Sequence, residues 1–113
     1  MNTFEVCDSL TSIIIPNSIT KIGDEAFYFC ESLTTITIPN SVTESGKRAF
    51  SYCRNVTSVY CKSTTPPIGY AKMFYSPDSR LKIYVPRASV SAYKTADGWS
   101  KYADAIEPYD FTD

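Results

Sequence analysis

The hydrophobic pattern of this chain repeats every 23 residues. The segment Cys7 to Phe29 is followed by a similar one from Cys30 to Tyr52, and a third, degenerate copy begins at Cys53. The recurring positions hold apolar residues, cysteines and glycines: Phe4, Phe27 and Phe50; Cys7, Cys30 and Cys53; Leu10, Leu33 and Val56; Ile13, Ile36 and Val59; Gly23, Gly46 and Gly69. Self-similarity at such a period predicts a solenoid of stacked coils.

Each copy combines a strand pattern with a turn. In LTSIIIP and LTTITIP the apolar residues alternate along the second half, and β-branched Ile and Thr favour strands. The Pro-Asn-Ser at 16–18 and 39–41 ends the strand. The Ala-Phe pairs within 24–29 and 47–52 indicate a helical turn whose Phe fills the interior. The pattern therefore predicts one short parallel strand and one helical turn per coil.

The repeat unit, Leu-x-x-Ile-x-Ile-Pro followed by Ile-Gly-x-x-Ala-Phe-x-x-Cys, resembles the BspA-like leucine-rich repeats. The likeness is close over residues 4–61 and looser over 62–86, and residues 81–107 are similar to the C-terminal cap of such proteins. It implies an α/β repeat fold, a leucine-rich repeat solenoid over 1–86 with a small helical cap and tail over 87–113. The implied repeats are 7–29, 30–52 and 53–80, followed by a terminal strand at 81–86. Ser45 departs from the motif, because it takes the place of the apolar Ile22.

The resemblance also implies a function. Family members are typically secreted or displayed on bacterial surfaces, and some adhere to host extracellular matrix or to other cells. We therefore expect an extracellular or cell-surface, non-enzymatic recognition module that binds a protein or glycan, with host matrix as a candidate partner. The alternative is a purely structural terminal segment that caps and spaces a longer repeat array.

Composition and charge argue against several classes of partner. The 113-residue chain suits one domain, has a formal net charge of −1 and contains no histidine. We expect no nucleic-acid partner, because nucleic acid calls for a basic patch. We expect no membrane insertion, because no apolar run reaches the length of a transmembrane helix. The first ten residues lack the basic start and apolar run of a signal peptide.

The four cysteines are interpreted as buried apolar residues. Three recur at one repeat position, and Cys61 falls at the inward strand position of Ile15 and Ile38. A metal site would need close pairs such as Cys-x-x-Cys, which the chain lacks. A disulfide between neighbouring coils is an alternative, since stacked strands lie about 5 Å apart.

No set of residues indicates catalysis. A catalytic thiol would need a histidine to activate it, and the carboxylates lie almost all at turns or in the tail. Asp24 and Glu25 lie one coil away from Lys47 and Arg48, which predicts opposite charges stacked on an exposed face. We therefore expect no catalytic residue, no metal, no cofactor and no enzymatic activity.

The last residues of the chain predict a cap. Ser89 or Ser91 is expected to cap a short helix over 92–95, and Asp97-Gly98 marks a break before a second helical stretch. The apolar face of that stretch carries Trp99, Tyr102 or Ala103, and Ile106. This face either covers the last coil or forms a Trp-Tyr cluster that binds sugar. Pro108 is expected to end the helix and leave 109–113 as a frayed tail.

The outward strand positions form the candidate binding surface. Strand side chains alternate, so the residues between the inward positions must point away from the core. The outward candidates are Ser12, Ile14, Thr35, Thr37, Ser58, Tyr60, Lys82 and Tyr84. One interpretation is a binding stripe, because Tyr combines contact area with a polar group. The other is that Thr and Tyr are simply good strand formers.

The start of the chain also predicts an association. Phe4 and Cys7 occupy the Phe and Cys positions of a repeat whose strand half would lie upstream. This indicates a piece of a longer array, or a short protein with an irregular N-terminal cap. An uncapped coil exposes an edge that can pair with a second copy. We therefore expect a homodimer through the N-terminal coil.

Overall fold

Two parallel sheets run along the molecule. The computed structural model describes residues 11–24, 26–27, 30–50, 53–69, 74 and 80–111. The strands follow the chain as β1 Ser12–Ile14, β2 Lys21–Ile22, β3 Thr35–Ile38, β4 Glu44–Ser45, β5 Ser58–Cys61, β6 Ile68–Gly69, β7 Lys82–Pro86 and β8 Ile106–Tyr109. The first sheet has the order β1-β3-β5-β7-β8, and the second has the order β2-β4-β6. Each of the first three coils therefore contributes one strand to each sheet.

The predicted repeat solenoid is confirmed. The prediction of one strand per coil is wrong, because each of the first three coils contains two strands. The strands of the second sheet are only two residues long. A two-residue strand is too short to produce a recognisable alternation of apolar and polar residues. The second sheet therefore could not be predicted from the local sequence pattern, because it forms only when the coils stack.

The register shows where the repeat changes length. Ile38 lies opposite Cys61, a step of 23 residues, whereas Glu44 lies opposite Ile68, a step of 24. Gly69 consequently faces Ser45, so the expectation that it continues the glycine column is wrong. The extra residue lies in the segment that contains Pro66-Pro67, where the Pro-Asn-Ser turn of the other coils is missing.

A stack of phenylalanine rings fills the interior, as predicted for Phe27 and Phe50. The Phe27 and Phe50 ring centroids are 5.2 Å apart, and those of Phe50 and Phe74 are 5.3 Å apart, with nearly parallel planes in both pairs. The rings are held at hydrogen-bonded turns, in which the N–H groups of Ala26 and Ala49 donate to carbonyls three residues earlier. In the described residues the expected helical turn takes this form. Phe4 lies outside them.

The C-terminal segment covers the last coil. It contains a 3-10 turn at Arg87–Ser89, the helix α1 at Val90–Thr95 and a 3-10 helix at Ser100–Ala105. Tyr93 and Trp99 are fully buried, and their polar atoms donate to the carbonyl oxygens of Ser63 and Pro67 at 2.7 and 2.8 Å. The capping interpretation is therefore confirmed. A sugar-binding cluster at Trp99 is wrong, because the indole has no exposed face.

Two expectations about this cap are wrong. The Ser89 hydroxyl donates to the Thr64 carbonyl and makes no capping hydrogen bond to α1. Residues Ile106 to Tyr109 do not belong to a helix and a frayed tail, because they form β8 beside β7 and bury Ile106. Pro108 is compatible with this strand, since an edge strand tolerates a residue without a backbone N–H. Thr112 and Asp113 lie outside the described residues.

For Asp24 and Lys47 the predicted charge stacking between coils takes a different form. Asp24 Oδ1 accepts a hydrogen bond from the backbone N–H of Lys47 at 2.8 Å, a contact with an amide rather than with the ammonium. A cross-coil ion pair forms between Lys21 and Glu44 at 3.9 Å. Glu25 lies outside the described residues. Asp24 therefore ties one turn to the next through its backbone.

Ser45 is expected to be a weak point of the core. Its hydroxyl is buried, and no hydrogen-bonding atom of the described residues lies within reach. Because an unsatisfied buried polar group costs about 1–3 kcal/mol, Ser45→Ala is expected to raise the free energy of unfolding by about 1 kcal/mol. Urea denaturation followed by Trp99 fluorescence measures this change.

Ser63→Ala is the matched control for Ser45→Ala. The buried Ser63 hydroxyl donates to the Thr65 carbonyl at 2.7 Å, so its removal should lower the free energy of unfolding by about 1 kcal/mol. A Ser45→Ala protein that is less stable than the parent would show that the Ser45 hydroxyl is satisfied.

The thiols of Cys30, Cys53 and Cys61 are buried, as predicted, and none is in a disulfide. Burial raises the pKa of the Cys61 thiol and so disfavours the reactive thiolate. We expect these three cysteines to react with iodoacetamide only slowly in the folded protein and fast in denaturant. Peptide mapping by mass spectrometry identifies each labelled position, and rapid native labelling of Cys61 would contradict its burial. Cys7 lies outside the described residues.

Candidate ligand-binding face

The outward side of the first sheet carries the predicted surface. Along β3, β5 and β7 the residues alternate between buried and partly exposed, so one set faces the core and the other faces solvent. All eight predicted outward residues lie on this side, and we call it the strand face. Ile14 is its most exposed apolar residue, with 77% of its surface accessible. Their outward orientation is confirmed, whereas their role in binding stays a prediction.

Aromatic rings gather at the C-terminal half of the strand face. Tyr60 and Tyr84 stack across β5 and β7 with ring centroids 5.0 Å apart. Tyr109 meets the Tyr60 ring edge-on at 5.3 Å and also contacts Tyr84 at 5.6 Å. Phe111 extends the group at 4.8 Å from Tyr109. We call these four residues the aromatic cluster.

A shallow groove of about 460 Å³ runs from the first coils to the aromatic cluster. It is lined by Ile14, Thr37, Tyr60, Lys62, Tyr109, Asp110 and Phe111. An adjoining depression of about 320 Å³ shares Lys62, Tyr109, Asp110 and Phe111 and adds Thr64, Pro86 and Arg87. Both depressions therefore share Lys62 and the segment 109–111 as part of their lining.

The groove includes only part of the predicted surface. Ile14, Thr37 and Tyr60 line it, whereas Ser12, Thr35, Ser58, Lys82 and Tyr84 lie on the same face without lining it. The groove is also lined by residues that were not predicted from the sequence, namely Lys62, Tyr109, Asp110 and Phe111. The sequence Ile106–Tyr109 shows no clear strand alternation, and Pro108 was interpreted as a helix end.

Ion pairs fix the edge of the strand face. Arg87 donates two hydrogen bonds to the Asp110 carboxylate, at 3.0 and 3.2 Å, and Lys82 lies 3.5 Å from Glu107. The Arg87 guanidinium lowers the pKa of Asp110 through these hydrogen bonds and its charge. Exposed pairs of this kind stabilise a fold only slightly. The two-point geometry of the Arg87–Asp110 pair does orient the segment that carries Tyr109 and Phe111.

The side chains on the strand face are suited to binding a ligand through noncovalent contacts. It offers aromatic rings, one exposed isoleucine, hydroxyl groups and a few charges. Among the described residues, no three His, Cys, Asp or Glu side chains are placed to hold a metal ion. In the same part of the chain, no helix has the length and apolar character needed to cross a membrane. Phe4 and Cys7 lie outside the described residues, so the homodimer through the N-terminal coil stays a prediction.

Comparison with known proteins supports the repeat assignment. A family model described as a BspA-type leucine-rich repeat region (6 copies) matches residues 1–95 of the 113 residues. The match includes strands β1 to β7 and extends through α1, and β8 lies beyond it. No curated protein matches the chain.

Proposed function

Because the chain belongs to the family of BspA-type leucine-rich repeats, we propose that it is a surface-displayed recognition module whose strand face binds a protein or glycan. Members of this family are commonly associated with bacterial surfaces and are generally not enzymes. A cell-surface location and an adhesive role for this chain are part of the proposal. Host extracellular matrix is the candidate partner.

One observation carries the proposal. The strand face exposes the large apolar side chain of Ile14 and, one strand beyond Thr37, the aromatic cluster that begins at Tyr60. Tyrosines are enriched in recognition surfaces, because they combine apolar contact area with a polar group. A face needed only for folding would be served by small hydroxyl residues, as at Ser12 and Thr35.

A pair of isoleucine substitutions tests the proposal. Ile14 lies on the strand face and Ile68, with 58% of its surface exposed, lies on the second sheet. Wild-type protein, Ile14→Arg and Ile68→Arg are applied to a glycan array and to immobilised collagen, laminin and fibronectin. Loss of a buried interface anchor typically weakens binding at least about tenfold. We expect that loss for Ile14→Arg and a change within about twofold for Ile68→Arg.

The control decides between the two faces. Weaker binding by Ile68→Arg with unchanged binding by Ile14→Arg would move the site to the second sheet and contradict the proposal. Absence of any binder in both panels would favour the alternative, in which this chain caps and spaces a longer array. Circular dichroism of both variants verifies that each is folded.

A further inference from the structure

From the charges and the exposed isoleucine along the two depressions we infer that the strand face binds a protein segment that carries both an apolar and an acidic side chain. The apolar side chain contacts Ile14, and the carboxylate binds Arg87. This inference rests on the proposed function and narrows its partner to one class. Two observations carry it: the excess positive charge of the lining, and the position of that charge at the far end of a surface that begins with Ile14.

The lining of the two depressions carries more positive than negative charge. Lys62 and Asp110 line both depressions, and Arg87 lines the second. Two basic groups and one carboxylate give this lining a formal charge of +1. One carboxylate from a partner would balance it. Because complementary charges guide association and select the partner, an acidic ligand is favoured over a neutral or basic one.

Arg87 has donors left for a second carboxylate. Its side chain is 64% exposed, and its Nε and Nη2 groups donate to the two oxygens of Asp110. A guanidinium has five N–H groups. The others, on Nη1 and Nη2, lie on the remaining edges of the planar group and make no hydrogen bond to the residues that the structure describes. Asp110 therefore holds Arg87 in an orientation in which the Nη1–Nη2 edge can bind a carboxylate at two points.

The other end of the surface is apolar. Ile14 is 77% exposed and lies on β1, whereas Arg87 follows β7. In the sheet order β1 and β7 are three strand spacings apart, which is about 14 Å. An extended protein segment of about five residues spans this distance and can carry an aliphatic side chain at one end and a carboxylate at the other. An acidic saccharide supplies the carboxylate but no aliphatic side chain, so the surface as a whole favours a protein segment.

Peptide selection tests the inference. A phage-displayed library of random decapeptides is selected on the immobilised full chain, and the strongest binder is synthesised and titrated by fluorescence anisotropy. We expect the selected peptides to be enriched in Asp and Glu close to large apolar residues. Converting the acidic side chains of the synthetic peptide into Asn and Gln should raise its dissociation constant about tenfold or more. Raising NaCl from about 50 to about 500 mM should weaken binding of the acidic peptide and leave that of the amide peptide nearly unchanged.

Four variants locate the two contacts. Arg87→Gln should raise the dissociation constant of the acidic peptide about fivefold or more, whereas Lys101→Gln, which removes an exposed charge from the second 3-10 helix, should change it less than about twofold. Asp110→Asn removes the competing carboxylate but keeps an oxygen that accepts from Arg87, so its affinity should stay within about twofold or become tighter. A pair that only held the segment in place would lose affinity in both variants. Ile14→Ser removes the apolar contact without adding a charge and should weaken binding about fivefold or more.

The outcomes separate this inference from the proposed function. Equal effects of Arg87→Gln and Lys101→Gln, or an Asp110→Asn protein as weak as Arg87→Gln, would overturn the carboxylate contact. Unchanged binding by Ile14→Ser would overturn the apolar contact. Binding of a hyaluronan tetrasaccharide without selection of any acidic peptide would show that the acidic partner is a glycan and overturn the protein segment. If only neutral or basic peptides are selected while a matrix protein still depends on Ile14, the inference fails and the proposed function stands. Unchanged fluorescence of the buried Trp99 verifies that each variant is folded.

Discussion

Replacing Phe50 by Ala is expected to lower the free energy of unfolding by about 3–5 kcal/mol. Phe50 is the middle ring of the stack and is in contact with Phe27 on one side and Phe74 on the other. Its removal leaves a cavity between two coils and takes away two ring contacts. Domains of this size have total stabilities of about 5–15 kcal/mol, so the variant should be close to unfolding.

Thermal unfolding followed by circular dichroism measures this effect. Phe111→Ala is the matched control, because Phe111 is only partly buried at the surface and packs on Tyr109. The control should lose less than about 1 kcal/mol. A midpoint shift of only a degree or two in Phe50→Ala would contradict the stacked coil register.

Replacing Gly98 by Ala is the substitution with the second large effect, and it is expected to lower the free energy of unfolding by about 2–4 kcal/mol. Gly98 has a φ of +83°, a conformation that residues with a Cβ rarely adopt. A Cβ atom there would lie 2.5 Å from the carbonyl carbon of Gly69 and 2.8 Å from its Cα. Both are backbone atoms, so the cap and the last coil would have to separate.

Gly98→Asn shows whether the backbone strain at positive φ or the close approach of a Cβ atom to Gly69 contributes more to this loss of stability. Asparagine accepts a positive φ more readily than alanine does, yet it carries the same Cβ. If the close approach to Gly69 dominates, denaturant titration should give both variants a similar loss, within about 1 kcal/mol of each other. Full recovery of stability in Gly98→Asn would show that backbone strain alone is responsible. A wild-type stability in Gly98→Ala would contradict the packing of the cap on the last coil.

The repeat architecture was readable from the sequence because each recurring residue performs the same packing task in every coil. The inward residues of β3 and β5 and the stacking of Phe27 on Phe50 follow directly from the 23-residue spacing, whereas Phe74 lies 24 residues after Phe50. The outward orientation of Thr37 and Tyr60 follows from the alternation of a strand. These features depend on the local hydrophobic pattern and on its recurrence from coil to coil. Both can be read directly from the sequence.

Other parts of the fold depend on contacts that no local pattern records. The two-residue strands β2, β4 and β6 exist because stacked coils bring them together, and their sequences share little beyond position. Likewise β8 exists because the edge of β7 is available after α1 and the 3-10 helix fold over the last coil. Because proline in sheets is largely confined to edge strands, a strand that contains Pro108 is not expected until the free edge of β7 is known.

The candidate site divides in the same way. Ile14, Thr37 and Tyr60 belong to repeated strand positions and were predicted. Tyr109 and Phe111 reach the groove only because β8 continues the sheet and because Arg87 holds Asp110. Arg87 and Asp110 lie 23 positions apart, as do Lys21 and Glu44 in the first coils, but they follow the recognisable repeats, so no repeated motif marks their pair.

The most direct test of the account is to map where a ligand binds. Isotope-labelled wild-type protein is titrated with the strongest binder from the arrays, and amide, methyl and ring shifts are followed by two-dimensional NMR. We predict that the largest shifts fall on the strand face, at Ile14, Thr37, Tyr60 and Tyr109. Shifts centred on the second sheet, around Lys21 and Ile68, with no shifts on the strand face would contradict the claim that the ligand binds on the strand face.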